Sequence, residues 1–146
     1  MHGALYRIEG GFIEGGKMDM YMERILEIYK NPENRGEIPD AQIKVMDYNP
    51  SCGDSVRIFA LVKNGKIEDM KFLGEGCAIS LASASLLSGN VKGRKLGEIM
   101  KMGAPEMFKI IGLDLSKNPS RAKCAMLPLS ALKKGIREFE KGGNRD

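Results

Sequence analysis

The dipeptide Asn64-Gly65 stands between two runs of alternating hydrophobicity, and this arrangement restricts the fold more than any other feature of the chain. A two-residue hairpin in a type I′ turn needs positive φ at both central residues, which Asn and Gly tolerate best. The run before it, Ser55 to Lys63, puts Val56, Ile58, Ala60 and Val62 on one face and Phe59 and Leu61 on the other. The run after it, Lys66 to Leu73, carries Ile67 and Met70 with Phe72. Gln42 to Asp47, where Ile43 and Val45 alternate with Gln42 and Lys44, reads as a third strand. The strand ending at Lys63 therefore belongs inside an antiparallel sheet.

Helical periodicity surrounds these strands. From Asp19 onward, Met22, Ile25, Leu26 and Tyr29 share one helix face, and Asn31-Pro32 ends it. After Cys77 the small residues and leucines of Ala78 to Gly89 suit a helix packed closely on the sheet, with Gly89 closing it. Lys95 to Met102 and Pro105 to Ile111 read as short helices. Ala125, Leu129, Leu132, Ile136 and Phe139 form an apolar stripe on a long terminal helix that starts or bends at Pro128. The expected fold is α+β, a small three-stranded antiparallel sheet with helices packed over it. Five glycines among the first sixteen residues point to a flexible leader over 1–17, then one domain over 18–141 and a flexible tail over 142–146.

Composition removes several functions. No apolar run approaches the roughly 20 residues that cross a bilayer, and the first residues lack the apolar block of a secretory signal, so a soluble cytoplasmic chain is expected. Lys and Arg exceed Asp and Glu only by 23 to 19, without a basic block, and nine aromatics offer little for base stacking. Nucleic acid and membrane are not expected partners. The single histidine, His2, excludes histidine-based catalysis and histidine-rich metal sites.

Chemistry is thereby left to thiols and carboxylates. Cys52, Cys77 and Cys124 are separated by 25 and 47 residues, unlike the close ligand pairs of a zinc ribbon. In an antiparallel hairpin the start of one strand neighbours the end of its partner, so Cys52 and Cys77 should share one sheet edge. Cys124 is expected to open the terminal helix, where backbone N–H groups, Lys123 and Arg121 favour a thiolate. Asp54 adds a carboxylate two residues from Cys52. Cys52, Asp54, Cys77 and Cys124 form a ligand set able to hold zinc or one edge of an iron–sulfur cluster, the oxygen holding such a cluster less firmly than a fourth thiolate. Taken singly, a free cysteine is most often a small buried hydrophobe, so the same residues also admit a domain with inert thiols.

The cysteine neighbourhoods resemble the iron–sulfur cluster assembly scaffolds of the IscU/NifU N-domain family, including its SufU branch. Four motifs occur in order: Asn31-Pro32-Glu33-Asn34-Arg35-Gly36; Asn49-Pro50-Ser51-Cys52-Gly53-Asp54; Gly74-Glu75-Gly76-Cys77-Ala78-Ile79-Ser80 with Ser83-Ala84-Ser85; and Arg121-Ala122-Lys123-Cys124-Ala125-Met126-Leu127. The resemblance implies a scaffold rather than an enzyme. A cysteine desulfurase delivers persulfide sulfur, a [2Fe–2S] cluster is assembled on Cys52, Cys77, Cys124 and Asp54, and the cluster passes to acceptor apoproteins. It also implies a persulfide-accepting thiol, expected at Cys124 with Lys123 favouring its thiolate, Cys52 being the second choice. Lys123 stands where one branch carries histidine, which moves the fourth ligand to Asp54. Lys117 to Arg121 replaces the Leu-Pro-Pro-Val-Lys motif that a dedicated chaperone reads. The alternative within the resemblance is a zinc-containing, SufU-type persulfide acceptor that stimulates a desulfurase. A cluster partly exposed at a sheet edge also suits a cluster-dependent homodimer.

Overall fold

The computed structural model describes residues 6–8, 11–13, 17–51 and 53–142. Three strands, β3 (Ile43–Asn49), β4 (Asp54–Lys63) and β5 (Lys66–Glu75), form an antiparallel sheet in the order β3-β4-β5. Asn64 and Gly65 have φ of 55° and 74°, as the tight turn between β4 and β5 requires. Val56, Ile58, Ala60 and Val62 are all buried on the helix-facing side of β4. On β5 the buried series is Ile67, Met70 and Phe72, a spacing that breaks strict alternation. Its cause is a bulge, since Leu61 pairs with Asp69 but Val62 with Ile67, leaving Glu68 as the extra residue.

Helices α1 (Lys17–Lys30), α2 (Ala78–Asn90), α3 (Leu96–Met100), α4 (Ala104–Ile111) and α5 (Pro119–Lys141) cover one side of the sheet. The α2 helix is buried almost all round, through Ile79, Ser80, Ala82, Ser83, Ala84, Ser85, Leu87 and Ser88, as befits a central element. Its small side chains admit close neighbours, and its buried serines need partners. Ser88 Oγ donates to the Ala84 carbonyl (2.7 Å) and Ser85 Oγ to that of Glu33 (2.8 Å). The second bond anchors the segment after α1, which lies along the outer edge of β5. There Gly36 N–H donates to the Phe72 carbonyl (2.8 Å) and Phe72 N–H to that of Asn34 (3.0 Å). The Asn31 to Gly36 motif thus caps a sheet edge.

Helix α5 presses on β3 through Gly135, where an added Cβ would lie 2.6 Å from Ile43 Cγ2 and 3.0 Å from Val45 Cγ1. Buried Leu129, Leu132, Ile136 and Phe139 complete the expected apolar stripe.

Some sequence expectations are corrected. The terminal helix begins at Pro119, so Pro128 lies inside it and Cys124 lies in its second turn, not at its opening. Helix α2 runs past Gly89 to Asn90 and is capped by Val91 N–H on the Leu87 carbonyl. Within the stretch read as a leader, β1 (Tyr6–Ile8) and β2 (Gly11–Ile13) pair antiparallel. The rest of that stretch before Lys17, and the tail beyond Gly142, lie outside the described residues.

Candidate metal centre

The antiparallel register of β4 and β5 builds the site. Ser55 pairs with Glu75, so Asp54 at the start of β4 lies beside Gly76 and Cys77 just past the end of β5. The chain enters β4 through a loop closed on Asn49, whose carbonyl accepts from Gly53 N–H (2.8 Å) and whose Oδ1 accepts from Ser51 N–H (3.0 Å). Gly53 takes φ 77° in that turn. Asp54 then enters a buried position, with 2% of its surface exposed.

An ionised carboxylate so placed must be paid back in hydrogen bonds, and Asp54 receives several. Its Oδ1 accepts from Cys77 N–H at 3.0 Å. Its Oδ2 accepts from Ser80 Oγ at 2.7 Å and lies 3.6 Å from Cys77 Sγ. Burial pushes the Asp54 carboxyl up, but the bonds from Ser80, Cys124 and Cys77 together hold it below its ordinary value.

Cys77 is the N-cap of α2, its Sγ accepting from Ser80 N–H at 3.5 Å. It is exposed, whereas Cys124, reaching the same point from α5, is buried. One ligand atom from each of Asp54, Cys77 and Cys124 lies within 4.8 Å of the others. These three residues, distant in the chain, therefore meet. Cys52 lies outside the described residues. Lys123 is exposed on α5, and the helix-start setting expected for Cys124 is replaced by a second-turn position with its backbone inside the helix.

Three contributors escaped sequence reasoning. Ser80 joins Asp54 to α5, because its Oγ also lies 3.3 Å from the Cys124 carbonyl. Pro128 stands four residues beyond Cys124 and has no N–H to donate to that carbonyl; this was legible from spacing alone. Gly76, at φ 144°, is the third, since a Cβ there would lie 2.3 Å from Asp54 Oδ1.

Fold and site define a class: a small α+β domain that gathers thiols and one carboxylate where a three-stranded sheet meets the start of one helix and the second turn of another. The chain matches the NifU-like N terminal domain family over residues 20–145 and belongs to it, the family of IscU-type and SufU-type iron–sulfur cluster assembly proteins. It is 37% identical over 140 residues to the Bacillus subtilis (strain 168) protein named zinc-dependent sulfurtransferase SufU, covering 86% of this chain and 94% of that one. It is 34% identical over 136 residues to the iron–sulfur cluster assembly scaffold protein IscU of Thermotoga maritima, covering 84% and 96%. A crystal structure described as a putative iron–sulfur cluster assembly scaffold for the SUF system, from Fervidobacterium islandicum AW-1, superposes with a TM-score of 0.70 at 30% identity, covering 83% of this chain and 99% of that one. No helix among the described residues is long and apolar enough to cross a membrane.

Proposed function

We propose that the protein is a scaffold on which a [2Fe–2S] cluster is assembled and from which it is passed to acceptor apoproteins. Sulfur arrives as the persulfide of a cysteine desulfurase: a site thiolate takes the terminal sulfur and the desulfurase leaves as thiolate. Cys52, Cys77, Cys124 and Asp54 are the ligands in this reading. The observation that carries it is the convergence of Asp54, Cys77 and Cys124 within 4.8 Å. The thiols hydrogen-bond to Asp54, so they give up those protons as they become ligands. The harder oxygen donor supports a transferable cargo, because a carboxylate grips a soft cluster less firmly than a thiolate does.

Access bears on the sulfur acceptor. Cys124 was expected to take the persulfide, with Lys123 favouring its thiolate, yet it is buried and Cys77 is the exposed thiol of the two described. Sulfur transfer to Cys124 therefore calls for opening of the site, and transfer to Cys77 does not.

A second reading, a zinc-containing persulfide acceptor, fits the same geometry. Ligand atoms around one tetrahedral ion stand about 3.3–3.8 Å apart, given bonds of about 2.0–2.3 Å. Cys77 Sγ and Asp54 Oδ2 are 3.6 Å apart. The SufU relative named for zinc points the same way.

Anaerobic purification followed by iron, sulfide and zinc analysis tests both. A brown protein with iron and sulfide in equal amounts supports the scaffold. One tightly held zinc that iron does not displace supports the sulfur acceptor. Thiols that react freely and hold neither after reconstitution end both readings.

A further inference from the structure

We propose that Ser80 is a positioning residue whose hydroxyl proton moves between two acceptors and so sets how loosely the site grips an ion. The inference rests on the metal-holding reading of Asp54, Cys77 and Cys124. The two carboxylate oxygens of Asp54 have different tasks. Oδ1 is occupied by Cys77 N–H at 3.0 Å. Oδ2 lies 3.6 Å from Cys77 Sγ, which makes it the oxygen on the thiol side and the one Asp54 offers to an ion. Ser80 Oγ donates to that same atom at 2.7 Å. Serine therefore competes with the ion for Oδ2.

The competing hydroxyl has a second acceptor close by, the Cys124 carbonyl at 3.3 Å, while Cys77 Sγ, an inherently weaker acceptor, stands farther off at 3.6 Å. In an uninterrupted α-helix that carbonyl would accept from the N–H four residues later, but the residue there is Pro128, inside α5. A hydroxyl carries one proton, so it cannot serve both acceptors fully. When Oδ2 gives its electrons to an ion it becomes a poorer acceptor, and the Ser80 proton turns to the Cys124 carbonyl. Ser80 is 2% exposed, so water is a poor substitute for either partner. A hydrogen bond to a carboxylate is stronger than one to a neutral carbonyl. Ser80 consequently stabilises the ion-free site more than the loaded one, and the site releases what it holds more readily than its ligands alone would dictate.

The test is the zinc affinity of the full-length protein, by competition with a chromophoric chelator, with cobalt spectra reporting the ligand set. Ser80→Ala is expected to bind zinc about five- to ten-fold more tightly, with an unchanged cobalt spectrum. A role in packing alone would weaken binding instead. Ser80→Thr and Ser80→Val share one shape and differ by the hydroxyl, so Val should bind more tightly than Thr by the same factor; this pair decides the matter if Ser80→Ala folds poorly. Pro128→Ala supplies an N–H that competes for the Cys124 carbonyl. It should weaken zinc about two- to three-fold in the native background and leave Ser80→Ala unchanged. Zinc binding that is unchanged or weaker in Ser80→Ala, with the native protein binding normally, overturns this inference alone. A native protein that binds neither zinc nor cobalt overturns the metal reading as well.

Discussion

Gly76 is the residue whose replacement should reveal most about how the site is held. At φ 144° it occupies backbone space that an L side chain rarely adopts, and a Cβ there would sit 2.3, 2.7 and 2.9 Å from Oδ1, Cγ and Cβ of Asp54. The last two atoms are not the loose end of a side chain. They are fixed by a buried residue at the start of β4, so Gly76→Ala must displace Asp54 and break its bond to Cys77 N–H. Backbone strain contributes about 1–3 kcal/mol, and loss of the charged hydrogen bond about 1.5–3 kcal/mol. Together they amount to roughly 3–6 kcal/mol, a large part of the about 5–15 kcal/mol that a domain has in total. Thermal unfolding of the metal-free protein should fall by on the order of 10–20 °C. Gly53→Ala is the matched control, because Gly53 also has positive φ (77°) but an added Cβ meets nothing within 4 Å. It should lose only the backbone part, about 1–2 kcal/mol. Placing Gly76→Ala in an Asp54→Ala background, where Oδ1 and Cγ are gone, should recover about 1.5–3 kcal/mol of coupling. Equal losses from the two glycines, with no coupling to Asp54, would show that the close approach is not what Gly76 serves.

Three further outcomes are expected. Gly135→Ala forces α5 away from Ile43 and Val45 and should destabilise the domain by about 1–3 kcal/mol, measured by denaturant unfolding. Ser83 is fully buried and its Oγ has no hydrogen-bond partner among the described residues, so Ser83→Ala should leave stability unchanged or raise it by up to about 1 kcal/mol, whereas a loss above that would reveal a partner for the hydroxyl. The Asp54 carboxyl is held below its ordinary value, chiefly by hydrogen bonds that outweigh its burial. Stability from its charge is therefore complete above the unfolded-state pKa and lost as pH falls through the lower folded value, and acid titration of metal-free Asp54→Asn should show a shallower loss than the native chain.

Much of the fold is legible in the sequence because the signals are local. Asn64-Gly65 fixes the hairpin, period-two alternation fixes the faces of β3 and β4, and the hairpin geometry alone brings Asp54 to Cys77. The odd spacing of Ile67 and Met70 was visible too, and only the pairing register shows that a bulge at Glu68 produces it. Less legible was where α5 begins. Proline is as welcome in the first turn of a helix as it is disruptive inside one, and Pro119 and Pro128 offered both choices. The structure uses Pro119 at the start and keeps Pro128 within the helix, which moves Cys124 from a helix end to its second turn and withdraws the helix-start part of the reason for expecting a thiolate there. Ser80 was hidden for another reason: in a segment of alternating Ala and Ser, no composition rule tells a packing serine from one that meets a buried carboxylate contributed 26 residues earlier.

The departures from local rules coincide at one place. A proline inside a helix, a glycine at φ 144°, a carboxylate with 2% exposure and a cysteine serving as N-cap each run against the ordinary preferences of their elements. Each departure also answers another. The glycine makes room for the carboxylate, the cysteine backbone and Ser80 satisfy the carboxylate, and the proline leaves a carbonyl to which Ser80 also turns. A packed structural core gains nothing from such a set, since apolar side chains of similar volume would be at least as stable. In the proposed reading, the set is a polar cluster whose members hold one another in the absence of a guest and have other partners when the thiols and Oδ2 are taken up. Sequences tend to break local rules where function demands it, and in this domain the broken rules lie around Asp54, Cys77 and Cys124.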